Sequence, residues 1–105
     1  MHKQFNTLSD IDPLYTAVMD YTQPNFSLIK ELLAQGHSPD RENIIGRSPR
    51  ILVDNFYRYY ASYELDDQKQ KMILQNRGRL LELFQNYDSQ LNLNFESSNI
   101  IKLQA

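Results

Sequence analysis

Two stretches of the chain set paired apolar residues about one helical turn apart. They are Leu28-Ile29-Lys30-Glu31-Leu32-Leu33-Ala34-Gln35-Gly36 and Leu80-Leu81-Glu82-Leu83-Phe84-Gln85-Asn86-Tyr87-Asp88. This spacing predicts two helices, each packed on one side. Gly36 suits the left-handed residue that ends the first, and Asp88 fills the corresponding place in the second less well. Two further helix starts stand at Asp12-Pro13 and Ser48-Pro49, 36 residues apart from proline to proline. In each, a short polar side chain can cap a free backbone N–H, and proline sits at the first helical position, where it has no hydrogen bond to lose.

Between Phe56 and Arg79 there is no proline, and the only glycine is Gly78. That stretch reads as helix rather than loop. Arg50 to Leu65 can prolong the helix begun at Pro49, and Asp66 or Asp67 can cap a long second helix through Met72, Ile73, Leu80, Leu81 and Phe84. Glu64, Asp66 and Asp67 would then lie near its positive end, where carboxylates are favoured. Gly78 within that helix costs about 1 kcal/mol against alanine, which points to a kink or a close helix contact there. Further on, Leu91, Leu93 and Phe95 alternate with Asn92, Asn94 and Glu96, as in a half-buried strand, so Leu91 to Leu103 is expected to form a third hairpin.

These segments together resemble the ankyrin repeat. Asp12-Pro13-Leu14-Tyr15-Thr16-Ala17-Val18 is similar to that family's Thr-Pro-Leu-His-x-Ala-Ala opening, and Leu28 to Asp40 to its apolar second helix followed by Gly-Ala-Asp-x-Asn. Gly46-Arg47-Ser48-Pro49 is similar to the Gly-x-Thr-Pro turn of a following unit, and the 13-residue step from Gly36 to Pro49 matches the family's spacing. Tyr15 and Ile51 stand where the family has His, Arg50 where it has Leu, and His37-Ser38 where it has Ala-Asp. The resemblance implies a mostly α fold, a short ankyrin-like helical repeat stack with small β-hairpin or turn fingers. The chain divides as one domain over residues 1–105: unit one at about 10–42, unit two at about 43–94 with a helical insertion at about 58–78, and a partial cap over 95–105.

Composition narrows the function classes. A chain of 105 residues organises one core. Its formal net charge of −2 argues against a dedicated nucleic-acid binder, because the one basic stretch, Lys69, Lys71, Arg77 and Arg79, directly follows Glu64, Asp66 and Asp67. With no cysteine there is no disulfide frame, thiolate metal site or cysteine nucleophile, which fits a reducing, cytoplasmic setting. Neither a signal-peptide core nor an apolar run of membrane-spanning length is present, so no membrane association is expected. Abundant Asn and Gln point to a bacterial or phage source.

Catalytic groups are sparse. His2 and His37 are the only histidines, and Ser38 and Asp40 beside His37 are too close in sequence to converge as a triad. The Asp66-Asp67 pair lacks spaced co-ligands and reads as a helix cap, and Gly36, Gly46 and Gly78 form no phosphate loop. No enzyme activity, cofactor or metal is expected.

Two features stand out as partner contacts. Pro39-Asp40-Arg41-Glu42-Asn43 corresponds to a finger tip that ankyrin proteins present to partners. It reads alternatively as a solvated turn whose Asp40 and Asn43 bond their own backbone. The run Phe56-Tyr57-Arg58-Tyr59-Tyr60, with Tyr63, cannot turn every ring to one core. At helical spacing Phe56, Tyr59, Tyr60 and Tyr63 share a face that can serve as core, leaving Tyr57 and Arg58 turned elsewhere, either to a partner or to solvent. The candidate partner-binding set is Arg41, Glu42, Asn43, Arg47, Tyr57, Arg58 and Tyr60. The expected role is a small intracellular protein-binding module that occludes its partner, in the manner of a toxin-immunity protein or a phage-type inhibitor of a host defence component or enzyme. The alternative is a self-associating scaffold, a homodimer paired through Phe95, Ile100, Ile101 and Leu103.

Overall fold

The computed structural model describes residues 12–104, with side chains described as far as residue 93. His2 and the side chains of Phe95, Ile100, Ile101 and Leu103 lie outside that range. The described residues form four helical rods. α1 is Pro13–Val18 and α2 is Phe26–Ala34. α3 is one continuous rod of three segments: α-helical Pro49–Ile51, π-helical Leu52–Phe56 and α-helical Tyr57–Tyr63. α4 is Asp67–Gln104, 38 residues. The protein is mostly α, and the described residues include no strand.

Each start uses the groups its sequence offers. Asp12 Oδ1 accepts from the Leu14 N–H at 3.0 Å, and Asn25 Oδ1 from the Leu28 N–H at 3.1 Å, which starts α2 earlier than its apolar run alone implies. At α3 the free N–H groups are accounted for one by one. Pro49 has none, Arg50 donates to the Pro39 carbonyl at 2.8 Å, Ile51 to Ser48 Oγ at 3.2 Å, and Leu52 to the Ser48 carbonyl at 3.0 Å. Gly36 ends α2 at φ +100°, the Gly36 N–H reaching the Leu33 carbonyl and the His37 N–H the Leu32 carbonyl. This paired closure needs a left-handed residue.

α1 packs on α2 and α3, α2 packs on α4, and α3 folds back along α4 after the three-residue break 64–66. Leu14 and Val18, Ile29, Leu32 and Leu33, Leu52, Val53, Tyr57 and Ala61, and Ile73, Leu80 and Phe84 meet in one core. Asp66 caps α4, its Oδ1 accepting from the Gln68 N–H at 2.9 Å. The helical reading of the stretch between Phe56 and Arg79 thus describes the fold correctly.

Three expectations need correction. The segment from Leu91 onward is helix, not a hairpin, since α4 runs through it without a break. Alternation over a few residues cannot outweigh a helix already propagating from Asp67, where each added residue gains a hydrogen bond. Asp88 therefore ends nothing. Its carboxylate instead takes the Arg50 guanidinium at 2.9 Å and 3.0 Å, while the same guanidinium holds Asp40 at 2.7 Å. Gly78 marks no close helix contact: α4 passes through it, and a Cβ there would meet no atom within 4 Å.

Arg50 thereby ties the 39–47 turn to α4. Hydrogen bonding to Asp40 is the largest influence on its pKa; burial opposes it, and the hydrogen bond and charge of Asp88 add to Asp40, so the net shift is upward. Because a raised basic group contributes fully at every pH below its ordinary value, the link persists across the working pH range, and salt is the lever instead. Its partners are 61% and 42% exposed, so screening discounts the pair. Arg50→Ala is expected to lower unfolding free energy by on the order of 1 kcal/mol at low ionic strength and by less at high salt, measured by urea denaturation.

Candidate functional site

The loop between α2 and α3 narrows to a tight turn. The Gly46 N–H donates to the Asn43 carbonyl at 2.9 Å, and the Asn43 N–H to the Arg47 carbonyl at 2.8 Å. Asn43 Oδ1 accepts from the Ile45 and Arg47 N–H groups at 3.1 Å and 3.0 Å, and Gly46 sits at φ +77°. A turn closed this way and followed by a left-handed glycine is a common three-residue connection. Here it carries no strands, so the finger is a turn and not a β-hairpin. At its base Pro39 is buried and Arg50 clamps Asp40.

Ile44 and Ile45 form the tip, and they are 90% and 64% exposed. Asn43 spends its side chain organising the turn, as the solvated-turn reading of that residue expects. Arg41, Glu42 and Arg47 are exposed. The Arg47 guanidinium lies 4.4 Å from the centre of the Phe56 ring, so it joins the turn to α3. The adjacent isoleucines were legible in the sequence as an apolar pair at a place where turns favour polar residues, a signal that charge-based selection of tip residues passes over.

On α3 the aromatic run is distributed differently from its helical-wheel reading. Tyr57 is fully buried, and its hydroxyl donates to the Val18 carbonyl at the end of α1, at 2.6 Å. It is therefore core and leaves the partner-contact set. Tyr59 and Tyr63, assigned to the core-capable face, are 55% and 70% exposed. The cause is the π-helical turn. There the Tyr57 N–H reaches the Leu52 carbonyl five residues back, and this wider turn rotates every later side chain relative to an unbroken α-helix. Arg77 supports the turn from α4, its Nε donating to the Asp54 carbonyl at 3.0 Å and its Nη2 to Asp54 Oδ1 at 2.5 Å.

Phe56 and Tyr60 are half-buried, and Arg58 is exposed. Tyr60 stacks on Tyr21 at 4.4 Å, and Tyr59 and Tyr63 meet at 4.9 Å. Tyr21 is held in place from behind: buried Asn76 donates to the Tyr21 and Thr22 carbonyls, both at 3.0 Å. Neighbouring groups run from Arg47 over Phe56 to Tyr60, Tyr59 and Tyr63, and Ile44 and Ile45 stand on the same turn as Arg47.

The remaining sequence candidates are otherwise engaged. Of the basic stretch, Arg77 is paired with Asp54 and Arg79 lies 3.8 Å from the Phe26 ring centre, leaving Lys69 and Lys71 exposed on α4. Ser38 Oγ accepts from the Asp40 N–H and the Asp40 carboxylate holds Arg50, and no described hydrogen bond joins either side chain to His37. No helix among the described residues is long and apolar enough to cross a membrane. No family model matches the chain, and neither a curated protein nor a solved structure is significantly similar to it.

Proposed function

We propose that the protein is a binding module whose partner is another protein, docked across the turn tip and the adjoining face of α3. One observation carries this reading: two adjacent isoleucines stand nearly bare at the tip of a turn that is locked from within by Asn43 and from below by Arg50. Burying a side chain of this size against a partner gains about 1.5–3 kcal/mol. Because the turn is already ordered, little conformational entropy is lost on binding. Arg47, with Arg41, Glu42 and Arg58 around it, supplies a charged margin, and Tyr60 continues the surface as an aromatic contact.

The proposed architecture is a two-unit ankyrin-like stack in which α1 and α2 form one layer and α3 and α4 an enlarged second one. Three findings support it: the matched proline starts, the Gly36 closure, and first helix touching first helix while second touches second. The proposed mechanism is occlusion, by which a stiff surface covers a partner's site, as a toxin-immunity protein or a phage-type inhibitor of a host component would. A second reading is a self-associating scaffold, favoured by Leu91 and Leu93, 55% and 63% exposed toward the end of α4.

Affinity capture with wild-type protein and with the Ile44→Asp, Ile45→Asp double variant, followed by light scattering, tests both. The proposal expects a defined heteropartner held by the wild type and released by the variant. A dimer stable to dilution with no heteropartner would select the scaffold.

A further inference from the structure

Three arginines of this chain lie over phenylalanine rings: Arg47 over Phe56, Arg79 over Phe26 and, more distantly, Arg50 near Phe84 at 5.7 Å. The largest tyrosine cluster has no such cation among the described residues. Tyr21, Tyr59, Tyr60 and Tyr63, with Glu64, line an open hollow of about 320 Å³ between the α1–α2 connection and the end of α3. Its rings lie in different planes. Tyr21 and Tyr60 are nearly parallel at 27°, whereas Tyr59 is turned 68° from Tyr60 and 57° from Tyr63.

We infer that this hollow receives an arginine side chain presented by the partner protein. The inference rests on the binding reading above and adds the chemistry of the contact. Aromatic faces carry negative potential and attract a guanidinium, which also stacks flat against a ring. Glu64 provides the formal charge. One of its oxygens, Oε2, accepts from the Asp66 N–H at 3.2 Å, and no ion pair among the described residues uses the carboxylate. A purely apolar group would fill the same space but make no use of the carboxylate or the phenol oxygens. A guanidinium offers five N–H groups to them while its plane rests on a ring. Tyr60 and Tyr21 form the packed floor, and the exposed Tyr59 and Tyr63 with the half-buried Glu64 form a rim that can be altered without opening the core.

The test uses the full chain and a short blocked peptide, Gly-Arg-Gly, with a citrulline counterpart that keeps the shape but not the charge. Binding is followed by NMR of the tyrosine ring signals. The expected result is saturable shifts of the Tyr59, Tyr60 and Tyr63 rings at millimolar arginine peptide, with citrulline about tenfold weaker or worse. Glu64→Gln should weaken arginine binding by roughly threefold to tenfold with an unchanged unfolding midpoint. Equal binding of the citrulline peptide, an unaltered affinity in Glu64→Gln, or no saturable shift would overturn the inference. That failure is separable from failure of the binding reading, which stands or falls with partner release by the Ile44→Asp, Ile45→Asp variant.

Discussion

Tyr57→Ala is expected to destabilise the fold by about 3–5 kcal/mol, the range for truncating a large buried aromatic side chain. Domains of this size are held by only about 5–15 kcal/mol in total, so the variant should melt far below the wild type and be largely unfolded at physiological temperature if the wild type is near the lower limit. The ring is fully buried in a core to which all four helices contribute, and its hydroxyl satisfies the last carbonyl of α1. Tyr57→Phe separates these roles. It keeps the packing and leaves the Val18 carbonyl without that donor, for a cost of about 1 kcal/mol. The pH dependence supplies a second signature. Burial, with the nearby Asp20 charge adding to it, raises the Tyr57 pKa well above the ordinary tyrosine value of 10.0. Above that pH the unfolded chain releases the phenolic proton and the folded chain retains it, so the unfolded state gains and stability falls as pH rises. Denaturation midpoints measured from pH 8 upward should decline above about pH 10, and less steeply in Tyr57→Phe. Wild-type stability in Tyr57→Ala would remove Tyr57 from the core.

The Ile44→Asp, Ile45→Asp double variant is expected to do the reverse, abolishing partner binding while leaving the fold intact. Each isoleucine is mostly in solvent, and the turn beneath them is held by Asn43, Gly46 and Arg50 rather than by the tip side chains. Thermal unfolding should therefore move little, surface substitutions of this kind usually costing less than about 0.5 kcal/mol. Anchors of an interface cost about 2 kcal/mol or more when lost, a thirtyfold weakening, and two buried carboxylates opposite an apolar pocket should exceed that. Calorimetric titration against the captured partner measures the change. Undiminished affinity would move the interface elsewhere, and a large fall in stability would show that the tip helps hold the turn.

Arg41, Arg47 and Arg58 stand as charged neighbours of this surface. Arg47 is the member placed to do most, because its guanidinium already rests on Phe56 and so gives up less freedom when a partner covers it.

How far these features were legible in the sequence differs from element to element. Asp12-Pro13, Ser48-Pro49 and Gly36 announced their roles because capping and left-handed closure depend on the residue itself and its immediate neighbours. The long second helix after Asp66 was legible for the same reason, in the absence of breakers. Asn43 announced its turn, beside which Arg41 and Glu42 are exposed. Asp88 and Arg50 read as poor matches to a repeat pattern, whereas in the fold they are partners of each other across 38 residues. No local rule could pair them.

The aromatic run shows the boundary most clearly. That several of its rings must be exposed followed from six helical positions circling one axis. Which rings are exposed did not follow, because the α-helical wheel assumes a uniform turn, and the π-helical segment Leu52–Phe56 is stabilised in part by Arg77 reaching the Asp54 carbonyl from another helix. Sequence by itself determined where α1, α3 and α4 begin, how α2 ends and that the protein is mostly α, since those depend on interactions a few residues apart. Only the tertiary structure decided that Tyr57 points inward and Tyr59 and Tyr63 outward, and that Tyr21 joins them around Glu64. Those orientations depend on contacts between helices distant along the chain, and a one-residue change in helical register turns a side chain from core to solvent.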